Sequence, residues 1–242
     1  MPLRIAMWSG PRNISTALMR SFGSRADTAV CDEPLYACYL ARRDVPHPMR
    51  AEIVARGETD WRRVAAFLTG PVPGDRPVFY QKHMAHHLLP EVERDWLAGL
   101  MHAFLIRDPR EMLLSLAKVT PDADVLDTGL PQQLELFQAV RARTGRTPPV
   151  LDARDVLEEP AGCLRALCTA LQLEFTPAML AWEPGLRPTD GLWASHWYGE
   201  VARSTGFERW RPREGELAGR LADVHARCRE PYAELYSHRL TA

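Results

Sequence analysis

Short apolar runs alternate with helix-periodic stretches along this chain, and that order commits it to a parallel sheet. The strand-like runs fall at residues 3–8, 28–32, 78–81, 103–107 and 150–153. Parallel neighbours require long crossovers, and helical crossovers cover both faces of the sheet they connect. The segment 161–171 shows the pattern, with Leu164, Leu167, Cys168 and Leu171 on one helical face; its cysteines read as core filler. Residues 214–240 read as a final helix. The expected fold class is therefore α/β, three layers with a central parallel sheet flanked by helices. A chain of 242 residues can bury one substantial core, so we expect a single domain over 1–242.

Composition excludes several classes. The net charge of −1 provides no global basic field, so neither nucleic acid nor an anionic membrane is an expected partner. Five cysteines, an odd number without CxxC spacing, point to reduced thiols rather than a disulfide framework. Residues 1–4 lead straight into a strand, with no apolar stretch long enough for a signal peptide or membrane span, which implies a cytoplasmic location. No internal repeat or low-complexity tract is present. Residues 44–60 and 120–131 have loop character and are candidates to border a site or form a lid.

The most informative stretch runs from Met7 to Phe22, Met-Trp-Ser-Gly-Pro-Arg-Asn-Ile-Ser-Thr-Ala-Leu-Met-Arg-Ser-Phe. It reads as strand, polar turn and helix, with Ile14, Leu18 and Phe22 at helical spacing. The first amides of a helix lack intrahelical partners and sit at the positive end of its dipole, so an anion fits there. Ser15 and Thr16 add hydroxyls, and Arg12 adds a charged planar fork. No second glycine and no lysine follow Gly10 in the turn, so the ATP-binding pattern G-x-x-x-x-G-K-[ST] is absent. The competing reading is an ordinary turn capped by Ser15 and Thr16.

Three further segments stand out. In His102–Ser115 a strand again runs into a helix, with Asp108 placed as N-cap, Pro109 at the first helical position, and Met112, Leu113 and Leu116 as the buried stripe. Gln81-Lys82-His83-Met84-Ala85-His86-His87-Leu88-Leu89-Pro90 follows a strand. There His83, His86 and His87 would share one side if the segment were helical, yet no fourth metal ligand is apparent. Ala29-Val30-Cys31-Asp32-Glu33-Pro34 ends a strand on carboxylates, where open α/β folds bind ligands. Four of the seven tryptophans, Trp182, Trp193, Trp197 and Trp210, lie between residues 176 and 212; packing is their default role.

These motifs resemble those of sulfotransferases that use 3′-phosphoadenosine 5′-phosphosulfate. Pro11-Arg12-Asn13-Ile14-Ser15-Thr16 is similar to the family's 5′-phosphosulfate loop, with Ile14 in place of the usual glycine. Arg107 and Ser115, eight positions apart, resemble its 3′-phosphate pair. His83 falls at the catalytic histidine of the cytosolic enzymes, with Lys82 one residue away from the usual lysine position, while Glu33 matches the glutamate base of some bacterial and tyrosyl-protein enzymes. Residues 150–157 resemble a family strand end of structural role. More loosely, Arg203, Ser204, Thr205 and Gly206 resemble the late basic loop that closes over the nucleotide.

The resemblance implies a P-loop NTPase-like fold and in-line transfer of a sulfuryl group from 3′-phosphoadenosine 5′-phosphosulfate to a hydroxyl or amine. Arg12 would stabilise the leaving oxygen, and His83 or Glu33 would take the acceptor proton, with His83 narrowly preferred. Arg12, Asn13, Ile14, Ser15, Thr16, Arg107, Ser115 and residues 203–206 would hold the nucleotide. The scheme requires no metal and expects a small-molecule acceptor, whose identity, like the oligomeric state, the sequence leaves open. Two alternatives remain: a nucleotide or small-molecule kinase, which would need magnesium ligands and ATP, and a non-catalytic nucleotide-binding protein.

Overall fold

In the computed structural model, which describes residues 2–45 and 47–242, the five runs form β1 (Leu3–Ser9), β2 (Thr28–Asp32), β3 (Val78–Met84), β4 (Met101–Ile106) and β5 (Val150–Asp152). All pairings are parallel, in the order β2-β3-β1-β4-β5. The strand that starts the chain thus lies in the middle, and β3 and β4 flank it on opposite sides. The crevice beyond the carboxyl ends of β1, β3 and β4 is the switch point at which such sheets bind ligands.

The helices are α1 (Ser15–Gly23), α2 (Tyr36–Arg42), α3 (Arg50–Arg56), α4 (Trp61–Thr69), α5 (Pro109–Leu116), α6 (Leu130–Thr144), α7 (Ala153–Glu158), α8 (Pro160–Ala170), α9 (Ala194–Trp197) and α10 (Arg220–Ser237). Side chains alternate between the faces of β1, and both faces are covered. Ile5 and Met7 pack with Leu18 and Phe22 of α1 and Leu164 and Leu167 of α8. Ala6 and Trp8 pack with Leu68 of α4, Phe137 of α6 and Cys228 of α10. A third cluster joins Ala37, Leu40 and Ile53 to Trp193 and Tyr198.

Most strand limits shift by one or two residues from those read in the sequence, and two differences are larger. β3 continues past Gln81 to Met84, with Lys82 and His83 paired against Met7 and Trp8 of β1. Their polar side chains disguise a strand in which every residue is buried. The last helix begins at Arg220 rather than residue 214. Pro212 cannot donate to a helical ladder, and Gly215 and Gly219 sit at positive φ, so residues 207–214 run free of the helix. The segment 44–60 contains α3, and its Pro46 lies outside the described residues.

Candidate active site

At the carboxyl end of β1 the chain turns through Gly10–Ile14 into α1. Gly10 is required by close approach: a Cβ there would collide with the Thr128 carbonyl oxygen. Asn13 is buried and anchors the turn by donating to the Leu105 carbonyl oxygen at 3.0 Å. Ile14 adopts a left-handed conformation that favours glycine (φ 54°, ψ 14°), and Arg12 also has positive φ, 58°. A β-branched residue in this region is strained, and such strain persists only where the surroundings over-determine it. No side chain caps α1 at Ile14, and its first turn carries no acidic residue. The opening amides therefore face the cleft without a competing anion.

The second strand-to-helix turn meets the first. Asp108 caps α5 by accepting from the Glu111 amide at 3.1 Å, with Pro109 at the first position, as the sequence indicates. Arg12 Nε donates to Ser115 Oγ at 2.9 Å, and Arg107 Nη1 donates to the Arg12 carbonyl oxygen at 2.9 Å. The rest of the Arg107 fork faces Glu111 Oε2 at 3.0 and 3.3 Å. Burial lowers the proton affinity of Arg107, and Glu111 offsets part of that effect. Arg12, Arg107 and Ser115, from two distant segments, thus form one unit.

A second polar group lies across the cleft, where β2 and β3 end. The Lys82 ammonium, wholly buried, donates to Asp32 Oδ1 at 2.8 Å, to Tyr198 Oη at 2.9 Å and to Glu33 Oε1. Burial alone would push Lys82 down, but Asp32 and Glu33 outweigh it and hold the amine charged. Burial pushes Glu33 above its ordinary value, against the pull of Lys82. His87 Nδ1 stands 3.8 Å from Glu33 Oε2. Its ring stacks on Tyr36, at 4.5 Å, and on Tyr39, at 4.8 Å, and burial keeps it neutral by lowering its pKa.

His83 is not brought to this site. Its side chain points into the core, 1 % exposed, stacked on Trp8 at 4.3 Å with Nε2 3.4 Å from Gln81 Oε1. Burial lowers its pKa to about 3. The period-2 alternation of β3 explains the outcome: Lys82 and Met84 face the cleft and His83 faces away. His83 belongs to a strand and His86 and His87 to a 3₁₀ turn, so the three do not share a helix face. Among the described residues, no group of three or more His, Cys, Asp or Glu is placed to hold a metal.

The two polar groups are walls of one cleft of about 1960 Å³. Pockets for one drug-sized ligand span about 300–1,000 Å³, so this space is larger than one such ligand fills. Pro11 to Ala17, Arg107 and Ser115 line one end; Glu33, Tyr36, His87, Trp193, Trp197 and Tyr198 line the other. Of the late loop, Ser204 and Gly206 line the cleft, whereas Arg203 and Thr205 do not. That loop is pinned by the Ala181–Gly206 bridge and by Trp182 Nε1, which donates to Ser204 Oγ at 3.0 Å.

The residues missed in the sequence lie just beyond it. Arg209, Arg211 and Arg213 line the end that holds Arg12 and Arg107. Trp210 between them donates to Glu111 Oε1 at 3.0 Å and carries Arg154 over its ring at 4.2 Å. Arginines at every second position around Trp210 and Pro212 were the available signal, and they fall between the loop read at 203–206 and the helix read from residue 214. Together with Arg12, Arg107 and Lys118, they give this end of the cleft a cluster of cations suited to a multiply charged anion.

Residues 3–232 match the family profile described as Sulfotransferase domain. The chain belongs to the sulfotransferase domain family. Solved members share its fold from end to end at low identity. The sulfotransferase domain from the curacin biosynthetic pathway has a TM-score of 0.54 at 13 % identity, covering 100 % of this chain and 99 % of its own. The domain from the Synechococcus PCC 7002 olefin synthase has a TM-score of 0.51 at 15 % identity, covering 99 % and 96 %. Two curated relatives from Arabidopsis thaliana, branched-chain-amino-acid aminotransferase-like proteins 2 and 1, are 35 % and 36 % identical over 84 % and 85 % of this chain. The chain spans about a third of those relatives' length, the match covering 36 % and 37 % of them. Family profile and fold thus agree on a sulfotransferase domain. Among the described residues, no helix is long and apolar enough to cross a membrane.

Proposed function

We propose that the protein transfers a sulfuryl group from 3′-phosphoadenosine 5′-phosphosulfate to a hydroxyl or amine of a small-molecule acceptor. The observation that carries this reading is the meeting of Arg12, Ser115 and Arg107 at one end of a cleft whose other end holds the buried Glu33 carboxylate. The donor, when bound, supplies a sulfuryl group on a phosphate leaving group. The α1 amides, Ser15 and Thr16 hold its 5′ end, and Arg12 balances charge developing on the leaving oxygen. Arg107 and Ser115, helped by Arg209, Arg211 and Arg213, hold the 3′-phosphate. Glu33 accepts the acceptor's proton; it lines the cleft, and its raised proton affinity suits a general base. His83, neutral and stacked in the core, is assigned no proton transfer. Positioning and fixed charge supply most of the rate.

The test is calorimetric titration with 3′-phosphoadenosine 5′-phosphate beside ATP with magnesium, followed by an acceptor screen. Tight binding of the bisphosphate alone supports the assignment; binding of ATP alone points to a kinase and overturns it. Glu33→Gln should retain the nucleotide and lose about 10²–10⁴-fold in transfer, the usual worth of a general base.

A further inference from the structure

The Lys82 ammonium has three protons and three acceptors, Asp32 Oδ1, Glu33 Oε1 and Tyr198 Oη, so its donors are fully satisfied. The Tyr198 hydroxyl lies 2.9 and 2.7 Å from the two Asp32 oxygens, to which it gives its one proton, while accepting from Lys82 and, at 3.2 Å, from Trp193 Nε1. Asp32 Oδ2 also accepts from the Gly191 amide at 3.0 Å. Beside it, Asp190 forms a buried two-pronged pair with Arg20 of α1, at 2.5 and 2.6 Å. The segment 190–198, which carries Trp193 and Trp197 of the cleft wall, is thus tied to the sheet ends through the same charges that surround Glu33.

We propose that Tyr198 and Asp32 are positioning residues for Glu33: they fix the Lys82 ammonium between the two carboxylates and so set the pH at which Glu33 takes up a proton. This rests on the reading of Glu33 as the base. The groups facing Glu33 are Asp32 on β2, Lys82 on β3, His87 on the turn after β3, Tyr36 on α2 and Tyr198 after α9. Lys82 is the cation among them, and Tyr198 and Asp32 control where it sits.

Two substitutions act in opposite directions. Tyr198→Phe keeps the ring that lies over Lys82 but leaves one ammonium proton without an acceptor and removes a donor from Asp32. Charge on the carboxylate pair becomes less favourable, and Glu33 should titrate at higher pH by about half a unit or more, the worth of one buried hydrogen bond spread over the pair. Asp32→Asn removes a neighbouring negative charge and leaves Lys82 to Glu33 alone, so Glu33 should titrate lower.

The measurement is carbon-13 NMR titration of protein labelled at the glutamate side-chain carboxyl, with the Glu33 signal identified by its loss in Glu33→Gln. Asp190→Asn is the control, because it loosens the same wall without touching Lys82. The expected result is a midpoint raised in Tyr198→Phe, lowered in Asp32→Asn and unmoved in Asp190→Asn. Unmoved midpoints in the first two, or shifts of the same sign, overturn the proposal; should Tyr198→Phe fail to fold, the sign in Asp32→Asn decides. The acid limb of the kcat/KM profile for transfer should follow the NMR midpoints. If the midpoints move as expected but no bound nucleotide supports transfer, the sulfuryl-transfer reading fails while the electrostatic arrangement around Glu33 stands.

Discussion

Replacing Lys82 by Met should make the stability of a buried ion cluster far more dependent on pH. The substitution leaves Asp32 and Glu33 side by side, both 8 % exposed, without their shared cation. Stranding a buried charge by removing its partner costs about 3–5 kcal/mol. Relief comes by binding a proton. At pH 7, protonating a carboxyl whose ordinary pKa is about 4.3 costs about 4 kcal/mol, at roughly 1.4 kcal/mol per unit, whereas at pH 5 the same step costs about 1 kcal/mol. The folded variant then binds more protons than the unfolded chain, so its stability falls as pH rises. Relative to the unsubstituted protein, the deficit should grow by about 3 kcal/mol between pH 5 and pH 7. For a chain of this size, the pH 7 deficit corresponds to a Tm lower by about 8–16 °C. Urea denaturation followed by circular dichroism at the two pH values measures it, with about a 1 M difference in midpoint shift. Equal deficits at pH 5 and pH 7 would refute the argument, because they would mean that Lys82 contributes packing rather than charge.

Arg107→Ala should weaken binding of 3′-phosphoadenosine 5′-phosphate far more than that of adenosine 5′-phosphosulfate, which lacks the 3′-phosphate; equal losses by calorimetry would remove Arg107 from the 3′-phosphate site. Ile14→Gly should change stability by less than about 1 kcal/mol, since relief of left-handed strain, about 1–2 kcal/mol, offsets the lost half-buried side chain. Leu18→Ala, one turn on and fully buried, should cost about 2–5 kcal/mol in the same denaturation assay. Burial raises Asp152 to about 6 although it caps α7 and accepts from Tyr232. Its folded pKa lies above the unfolded one, so the protein loses stability as pH rises from about 4 to 6, by up to about 3 kcal/mol. Asp152→Asn, which keeps a capping oxygen, should flatten that interval in a pH series of denaturation curves.

The parts of the site legible in the sequence are those built from neighbours along the chain. The Asp108 cap and Pro109 start of α5, and the eight-residue step from Arg107 to Ser115, depend on helix geometry and so appear as spacing. The polar turn before α1 was equally local. β3 misled because Lys82 and His83 look like loop residues. Their place in a strand follows from the ladder to β1, joined at Lys82 by the ladder to β2, and the alternation of that strand, with Lys82 to the cleft and His83 to the core, is why the proposed base is Glu33 rather than His83.

The order of strands and helices, the paired strand-to-helix turns and the cations and hydroxyls they carry were determined by the sequence itself, because each is set by periodicity or capping over a few residues. Tertiary structure alone decided that Glu33 meets Lys82 across 49 residues and that Tyr198 closes on Asp32 across 166. Those contacts are favourable only where the sheet and the 190–198 wall together exclude water, since an ion pair exposed to solvent is worth little and a buried charge must find its partner. No pattern within one segment encodes that exclusion.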